Sequence, residues 1–151
     1  MVTGRTERAR ALTEALPDPE IPVLTLGDLG VVRGVEEAAD GALEVMLTPT
    51  YSGCPATQPI ADQVAATLTE AGLPARIRLV LSPAWSTDWI SAAGRDKLRA
   101  YGIAPPSREP PLCPHCGSAA TEQISEFGST PCKALWRCTA CREPFDRFKC
   151  L

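Results

Sequence analysis

The sequence holds one histidine among 151 residues, His115, and it lies between two cysteines. Nucleophilic chemistry of the Ser/His or Cys/His kind needs an imidazole free to take a proton. With none available, the chain reads as a non-enzyme. No apolar run approaches the roughly eighteen residues of a membrane-crossing helix, and Met1-Val2-Thr3-Gly4-Arg5 lacks the apolar segment of a secretory signal. A cytoplasmic protein without a membrane partner is the expectation. Positive charge is not in excess either, since 15 Lys and Arg face 18 Asp and Glu for a formal net of -3. Such a balance sets up no field for a phosphate backbone, so nucleic acid is not an expected partner.

Apolar residues make up 44% of the chain, enough for a packed core, and the length suits one ordinary domain with a small appendage. Seven cysteines in an intracellular chain argue for metal rather than disulfides, and six of them fall in the last forty residues.

Thr6 to Leu16 reads as a helix with Ala9, Leu12 and Leu16 on one side, stopped by Pro17. Asp18-Pro19-Glu20-Ile21-Pro22 reads as a stiff extended linker, because a residue before proline is pushed out of helical geometry. Val31 to Glu37 and Leu43 to Thr48 read as paired strands. The Asp40-Gly41 dipeptide between them suits a tight turn whose two central residues both have positive φ. Ile60, Val64 and Leu68, four apart, mark a helix from about Thr57 to Ala71 that ends at Gly72. Ala75 to Leu81 then alternates Ile77, Leu79 and Leu81 against Arg76, Arg78 and Val80, as a half-buried strand does. A strand, a helix and a strand in that order place the two strands parallel. Trp85 and Trp89, four apart, suit one helical face packed on the sheet, or else a contact surface. Ser91 is the expected N-cap of a last helix.

The fold expected is α+β, a three-stranded mixed sheet with helices on one face, over residues 1–104. Residues 105–112 are proline-rich and read as a linker. Residues 113–151 form the appendage.

Cys54, in Tyr51-Ser52-Gly53-Cys54-Pro55, lies just ahead of the central helix, where unpaired N–H groups favour a thiolate. The plain alternative is a small buried filler, as free cysteines commonly are. In the appendage, Cys113-Pro114-His115-Cys116 and Cys138-Thr139-Ala140-Cys141 stand twenty-one residues apart. Two Cys-x-x-Cys turns at such a separation are the sequence form of a zinc ribbon, with four thiolates around a structural zinc and no open position. His115 sits inside the first turn and is read as exposed and uninvolved. A hairpin closed at the second turn would bring Cys132 and Cys150 near one another at the far end. They could be two buried small residues, a redox-labile pair, or a second soft-metal site completed by Cys54.

The succession Asp18-Pro19-Glu20-Ile21-Pro22, Asp28-Leu29-Gly30-Val31-Val32, Gly53-Cys54-Pro55 and Ser82-Pro83-Ala84-Trp85-Ser86-Thr87-Asp88-Trp89 resembles the small proteins that assist iron-sulfur cluster maturation. The tail, with Glu126-Phe127-Gly128-Ser129-Thr130-Pro131-Cys132-Lys133 and Phe145-Asp146-Arg147-Phe148-Lys149-Cys150, is similar to a branch serving the multicomponent phenylacetyl-CoA epoxidase of phenylacetate catabolism. The resemblance implies an accessory protein whose clients are the diiron oxygenase or the iron-sulfur reductase. It implies Cys54 as a transient ligand for iron or a cluster, with Asp18, Glu20 and Asp28 at the family's acidic positions. A stable interaction subunit that handles no metal is the rival reading, and a homodimer is compatible with either.

Overall fold

The computed structural model describes residues 4–50 and 57–150. The chain divides into two compact units, residues 1–91 and 92–151.

In the first unit, α1 (Gly4–Glu14) buries Thr6, Ala9 and Thr13. Ala9 is the expected core residue, but threonines stand in place of Leu12 and Leu16. The Thr13 hydroxyl donates back to the Ala9 carbonyl at 2.8 Å, so a short polar side chain can be buried without an orphaned group. The proline-rich run after it is a closed loop rather than an extended linker. The Asp18 amide donates to the Leu24 carbonyl at 2.8 Å and the Leu24 amide to the Ile21 carbonyl at 2.9 Å, because burying Ile21 and Leu24 folds the segment back on itself. Next comes the single turn α2 (Leu26–Leu29), closed at its N-terminus by Thr25 and at its C-terminus by Gly30, whose φ is +73°.

Strands β1 (Val32–Glu37) and β2 (Leu43–Leu47) pair antiparallel with Val35 opposite Val45. Their connection is wider than the expected two-residue turn. Gly41 alone in it has a positive φ, 83°, and the Asp40 carboxylate accepts the Ala42 amide at 3.1 Å, doing with a side chain what a second left-handed residue would have done.

Helix α3 (Thr57–Glu70) holds Pro59 in its first turn, where a missing N–H removes no helical bond. It leads to β3 (Ala75–Leu79), which pairs parallel with β2. The sheet order is β1-β2-β3, a mixed sheet as the periodicity implied. Helix α1 packs on β1 and touches α3, which packs on β3, so both cover the same face. Leu43, Val45 and Leu47 of the central strand point under them and are almost fully buried with Val64 and Leu68 of α3. Each such side chain contributes about 1.5–3 kcal/mol.

The expected buried face of β3 is only partly realised. Ile77 is half-buried, while Leu79 is 46% and Leu81 60% exposed. Alternation identifies the face, but β3 is an edge strand, and Leu79 lines an open apolar cleft with Leu47, Thr57 and Ile60 rather than a closed core.

The two tryptophans do not share a helical face. Thr87–Trp89 is a single 3-10 turn capped by the Ser86 hydroxyl. Trp85 is buried and its Nε1 donates to the Leu29 carbonyl at 2.8 Å. Half-buried Trp89 lies under the Arg33 guanidinium, 4.3 Å from the ring centre. Both rings thus tie the segment after β3 to the segment around α2 and β1.

The second unit begins with α4 (Ala92–Ala100), directly after Ser91. Then β4 (Ile103–Ala104), β5 (Thr121–Ser125), β6 (Lys133–Cys138) and β7 (Pro144–Phe148) form a sheet ordered β4-β7-β6-β5. Ala104, Cys113, Ala134, Trp136, Cys138 and Phe145 make its small core. The helix and strand that precede the proline run, α4 and β4, fall in one compact unit with the strands that follow it, and β4 pairs parallel with β7. Prolines report an extended backbone, not an absence of neighbours.

Gly30 packs tightly as well as bending the chain. A Cβ there would sit 2.7 Å from the Trp89 carbonyl oxygen, on a backbone already in the left-handed region. Gly30→Ala should therefore destabilise the first unit by about 2–4 kcal/mol, read from urea unfolding followed by tryptophan fluorescence. An unchanged midpoint would show that α2 and the Trp89 turn are not locked together as described.

Candidate metal centre

Two short turns bring four thiols together at one end of the ribbon. In the first, the amides of His115 and Cys116 point at Cys113 Sγ, at 3.4 and 3.5 Å. The Gly117 amide closes this turn on the Cys113 carbonyl at 2.8 Å. In the second, the Cys141 amide points at Cys138 Sγ at 3.4 Å, and the Cys138 amide bonds to the Glu143 carbonyl at 3.0 Å as the β6–β7 hairpin closes. The sequence folds this way locally because Cys-x-x-Cys leaves two residues to reverse the chain, and Arg142 completes the second reversal at φ 67°.

All four sulfurs lie within 4.8 Å of one another. Across the two turns, Cys113 is 3.7 Å from Cys141 and Cys116 is 3.6 Å from Cys138. Four sulfurs about 2.3 Å from a tetrahedral zinc would stand about 3.8 Å apart, whereas a disulfide requires about 2.05 Å. The donor set and its spacing fit a metal ion. Cys113 and Cys138 are buried against the ribbon core, and Cys116 and Cys141 are exposed.

The thiols do not titrate alike. The Cys141 amide, helped by the Ala140 amide and the neighbouring thiols and opposed by burial, draws Cys138 down to about 6. For Cys141 the Glu143 amide favours the anion, but burial and the thiols of Cys138, Cys113 and Cys116 outweigh it and push the group up to about 12. Cys116 is likewise raised, its Ser118 amide overcome by the Cys138 thiol, burial and the Cys113 thiol. Packed this closely, the sulfurs compete for negative charge, and a cation relieves the competition.

His115 is exposed and outside this group, with its ring beside Gly102. Cys54 lies outside the described residues. Asp28 has both carboxylate oxygens engaged: Oδ2 accepts the Thr25 amide at 3.0 Å in a capping box, and Ser91 Oγ lies 3.5 Å from Oδ1. Asp18 is buried and its Oδ1 accepts the Glu20 amide at 3.0 Å. These carboxylates act on the backbone, and among the described residues the four cysteines alone form a metal-holding group.

Cys132 and Cys150 come within one step of register. The Lys149 amide bonds to the Cys132 carbonyl at 2.9 Å, so Lys149 rather than Cys150 stands opposite Cys132. Buried Cys132 Sγ lies 2.9 Å from Thr130 Oγ1, whereas exposed Cys150 Sγ points to the Ser107 carbonyl at 3.1 Å.

Sequence reasoning missed the arrangement around Asp146. Lys133 is buried with its Nζ 3.9 Å from Asp146 Oδ2, and Ser129 Oγ donates to the same oxygen at 3.1 Å. A Cβ on Gly128 would stand 2.6 Å from Asp146 Oδ1. The run Phe127-Gly128-Ser129 is thus shaped to meet one carboxylate, and a lysine in a strand otherwise reading as core was the available signal.

Residues 105–149 match the family described as the PaaD zinc β ribbon domain, and residues 7–78 match the family described as iron-sulfur cluster assembly protein. A protein of Escherichia coli (strain K12), provisionally named as a subunit of 1,2-phenylacetyl-CoA epoxidase, is 51% identical over 150 residues, covering 93% of this chain and 90% of its own. The Fe-S protein maturation auxiliary factor of Porphyromonas gingivalis (strain ATCC BAA-308 / W83) is 37% identical over 76 residues, 49% of this chain and 71% of its own. Among solved structures, a domain of unknown function from Bacillus anthracis aligns with a TM-score of 0.57 at 26% identity, covering 62% of this chain and 91% of its own. A conserved hypothetical protein from Thermotoga maritima shares the fold, with a TM-score of 0.51 at 21% identity over 64% of this chain and 94% of its own.

A metal ion held by this set displaces the protons of its thiols. At pH 7 Cys138 is already a thiolate, while Cys116 and Cys141 still carry protons. Zinc titrated into metal-free protein at pH 7 should release at least two protons per ion, measured with a pH indicator in weak buffer. Its apparent affinity should accordingly fall at least a hundredfold between pH 8 and pH 7, about tenfold for each proton released. A pH-independent affinity would contradict the geometry.

Proposed function

We propose that this chain, which belongs to the PaaD family of 1,2-phenylacetyl-CoA epoxidase subunits and is built from an iron-sulfur cluster assembly domain and a zinc ribbon, is a non-catalytic accessory protein that helps mature or deliver iron or iron-sulfur centres to the epoxidase. The observation that carries the reading is this joining of an assembly domain to a ribbon in one chain, with 51% identity to an epoxidase subunit over nearly its whole length.

In this reading Cys113, Cys116, Cys138 and Cys141 hold a structural zinc. Four thiolates fill a tetrahedral shell and leave no position for a substrate. The zinc supplies cohesion that a core of six small and aromatic residues does not provide alone. Cys54 is the residue that handles the cargo. A thiolate suits ferrous iron and clusters, and a single protein ligand releases them readily. Asp28 acts at a distance, by capping the turn that shapes its part of the fold, since its oxygens are committed there.

A second reading, a stable interaction subunit, is favoured by the large apolar side chains the ribbon leaves exposed, Phe127 at 66% and Ile124 at 50%. Cys54→Ser, co-expressed with the epoxidase subunits, separates the two. Delivery requires a severalfold loss of iron in the purified epoxidase and of epoxidation activity, with one zinc still bound per chain. Unchanged iron with intact co-purification would replace delivery by the interaction role.

A further inference from the structure

The second unit contains a cleft of about 680 Å³ that borders the metal centre at Cys113 and Gly117 and is otherwise walled by residues outside it. One wall is the chain between 104 and 114, which contributes five prolines and Leu112. The other is the face of α4 that carries Arg95 and Arg99, four residues apart. Arg108 and Glu109 lie at its margin.

The proline wall is held in place before anything binds. Arg95 Nη1 donates to the Pro106 carbonyl at 2.9 Å, and Thr121 Oγ1 to the Pro111 carbonyl at 2.7 Å. Arg147 Nη2 donates to the carbonyls of Ser107 and Glu109, the latter at 3.0 Å. Prolines lose little further freedom on binding, so a ligand meets a preformed surface. Leu112 is 61% exposed beside it, an apolar anchor without a cover.

The charge of the cleft runs against that of the protein. Three arginines and one glutamate line it, in a chain whose formal net charge is -3. Among the described residues Arg99 is engaged only by Asp96, at 3.2 Å and 79% exposed, a pair that water screens. Arg108 has no partner among the described residues. Phosphate cradles are built from converging backbone N–H groups, and five of the lining positions, being proline, have none. The apolar proline rings and the guanidinium forks of Arg99 and Arg108 instead match an extended peptide that carries carboxylates between apolar side chains.

We propose that this cleft is the docking site for an acidic, apolar segment of the partner protein. The inference rests on the accessory reading above, which supplies the epoxidase as partner. Exposed Arg99 and Arg108 select the segment by charge, and Leu112 with the prolines takes its apolar side chains.

The test uses the full chain co-expressed with the epoxidase subunits. Arg99→Glu combined with Arg108→Glu should lower co-purified epoxidase about ten-fold while leaving one zinc per chain, and Arg8→Glu, on α1, should not. Should the double variant lose its zinc, amide exchange of the unaltered protein decides, because Ser107, Arg108, Glu109 and Leu112 should exchange more slowly once the epoxidase is added. Unchanged co-purification by the zinc-loaded double variant overturns the proposal. So does unaltered exchange at these amides, or binding of inorganic pyrophosphate that the double variant loses while epoxidase still co-purifies. Iron content in Cys54→Ser is read separately, so the delivery reading can fail while this docking site stands, and the reverse.

Discussion

Four sulfurs held within 4.8 Å of one another cannot all be anions unless a cation lies among them, and the ribbon is arranged around that constraint. The two turns aim backbone amides at the inner thiols, so part of the negative charge is stabilised before a metal arrives. The remaining repulsion appears as thiols pushed in opposite directions, Cys138 down and Cys141 up. Because Cys113 and Cys138 are also members of the ribbon core with Trp136 and Phe145, the metal position and the hydrophobic packing are one structure.

The first unit solves a different problem. Its central strand supplies the buried face, and the two helices supply the cover. What connects the remaining loops is a set of local polar devices. Thr25 and Asp28 close the turn of α2, Gly30 reverses the chain beneath Trp89, and Trp85 reaches back to the Leu29 carbonyl. Of the acidic positions that suggest chemistry in the bare sequence, Asp18 and Asp28 each hold a backbone amide.

A division of labour follows from these two designs. A saturated four-thiol site is suited to permanence, and a lone thiol is suited to exchange. In the reading proposed above, joining the two in one chain with a positively lined cleft assigns recognition of a partner and handling of its cargo to separate residues.

Residue spacing alone was enough to identify the four-cysteine set, because a Cys-x-x-Cys turn is a local geometry that needs only four consecutive residues. The mixed sheet was equally legible, since period-two and period-four patterns in Leu43 to Leu47 and Ile60 to Leu68 depend on short-range backbone geometry. Tertiary structure decided what those patterns leave open. Periodicity says which residues share a face but not what covers it, so Leu79 and Leu81 were indistinguishable in sequence from Val45 and Leu47, which are buried. Nor could a carboxylate's partner be read from its neighbours: Asp28 is bound to Thr25 nearby but also lies beside Ser91, sixty-three residues on. The cleft between α4 and the proline run, and the grouping of both with the ribbon, came from the pairing of β4 with β7 across more than forty residues. Such pairing depends on the packing of the whole unit, which no short window of sequence contains.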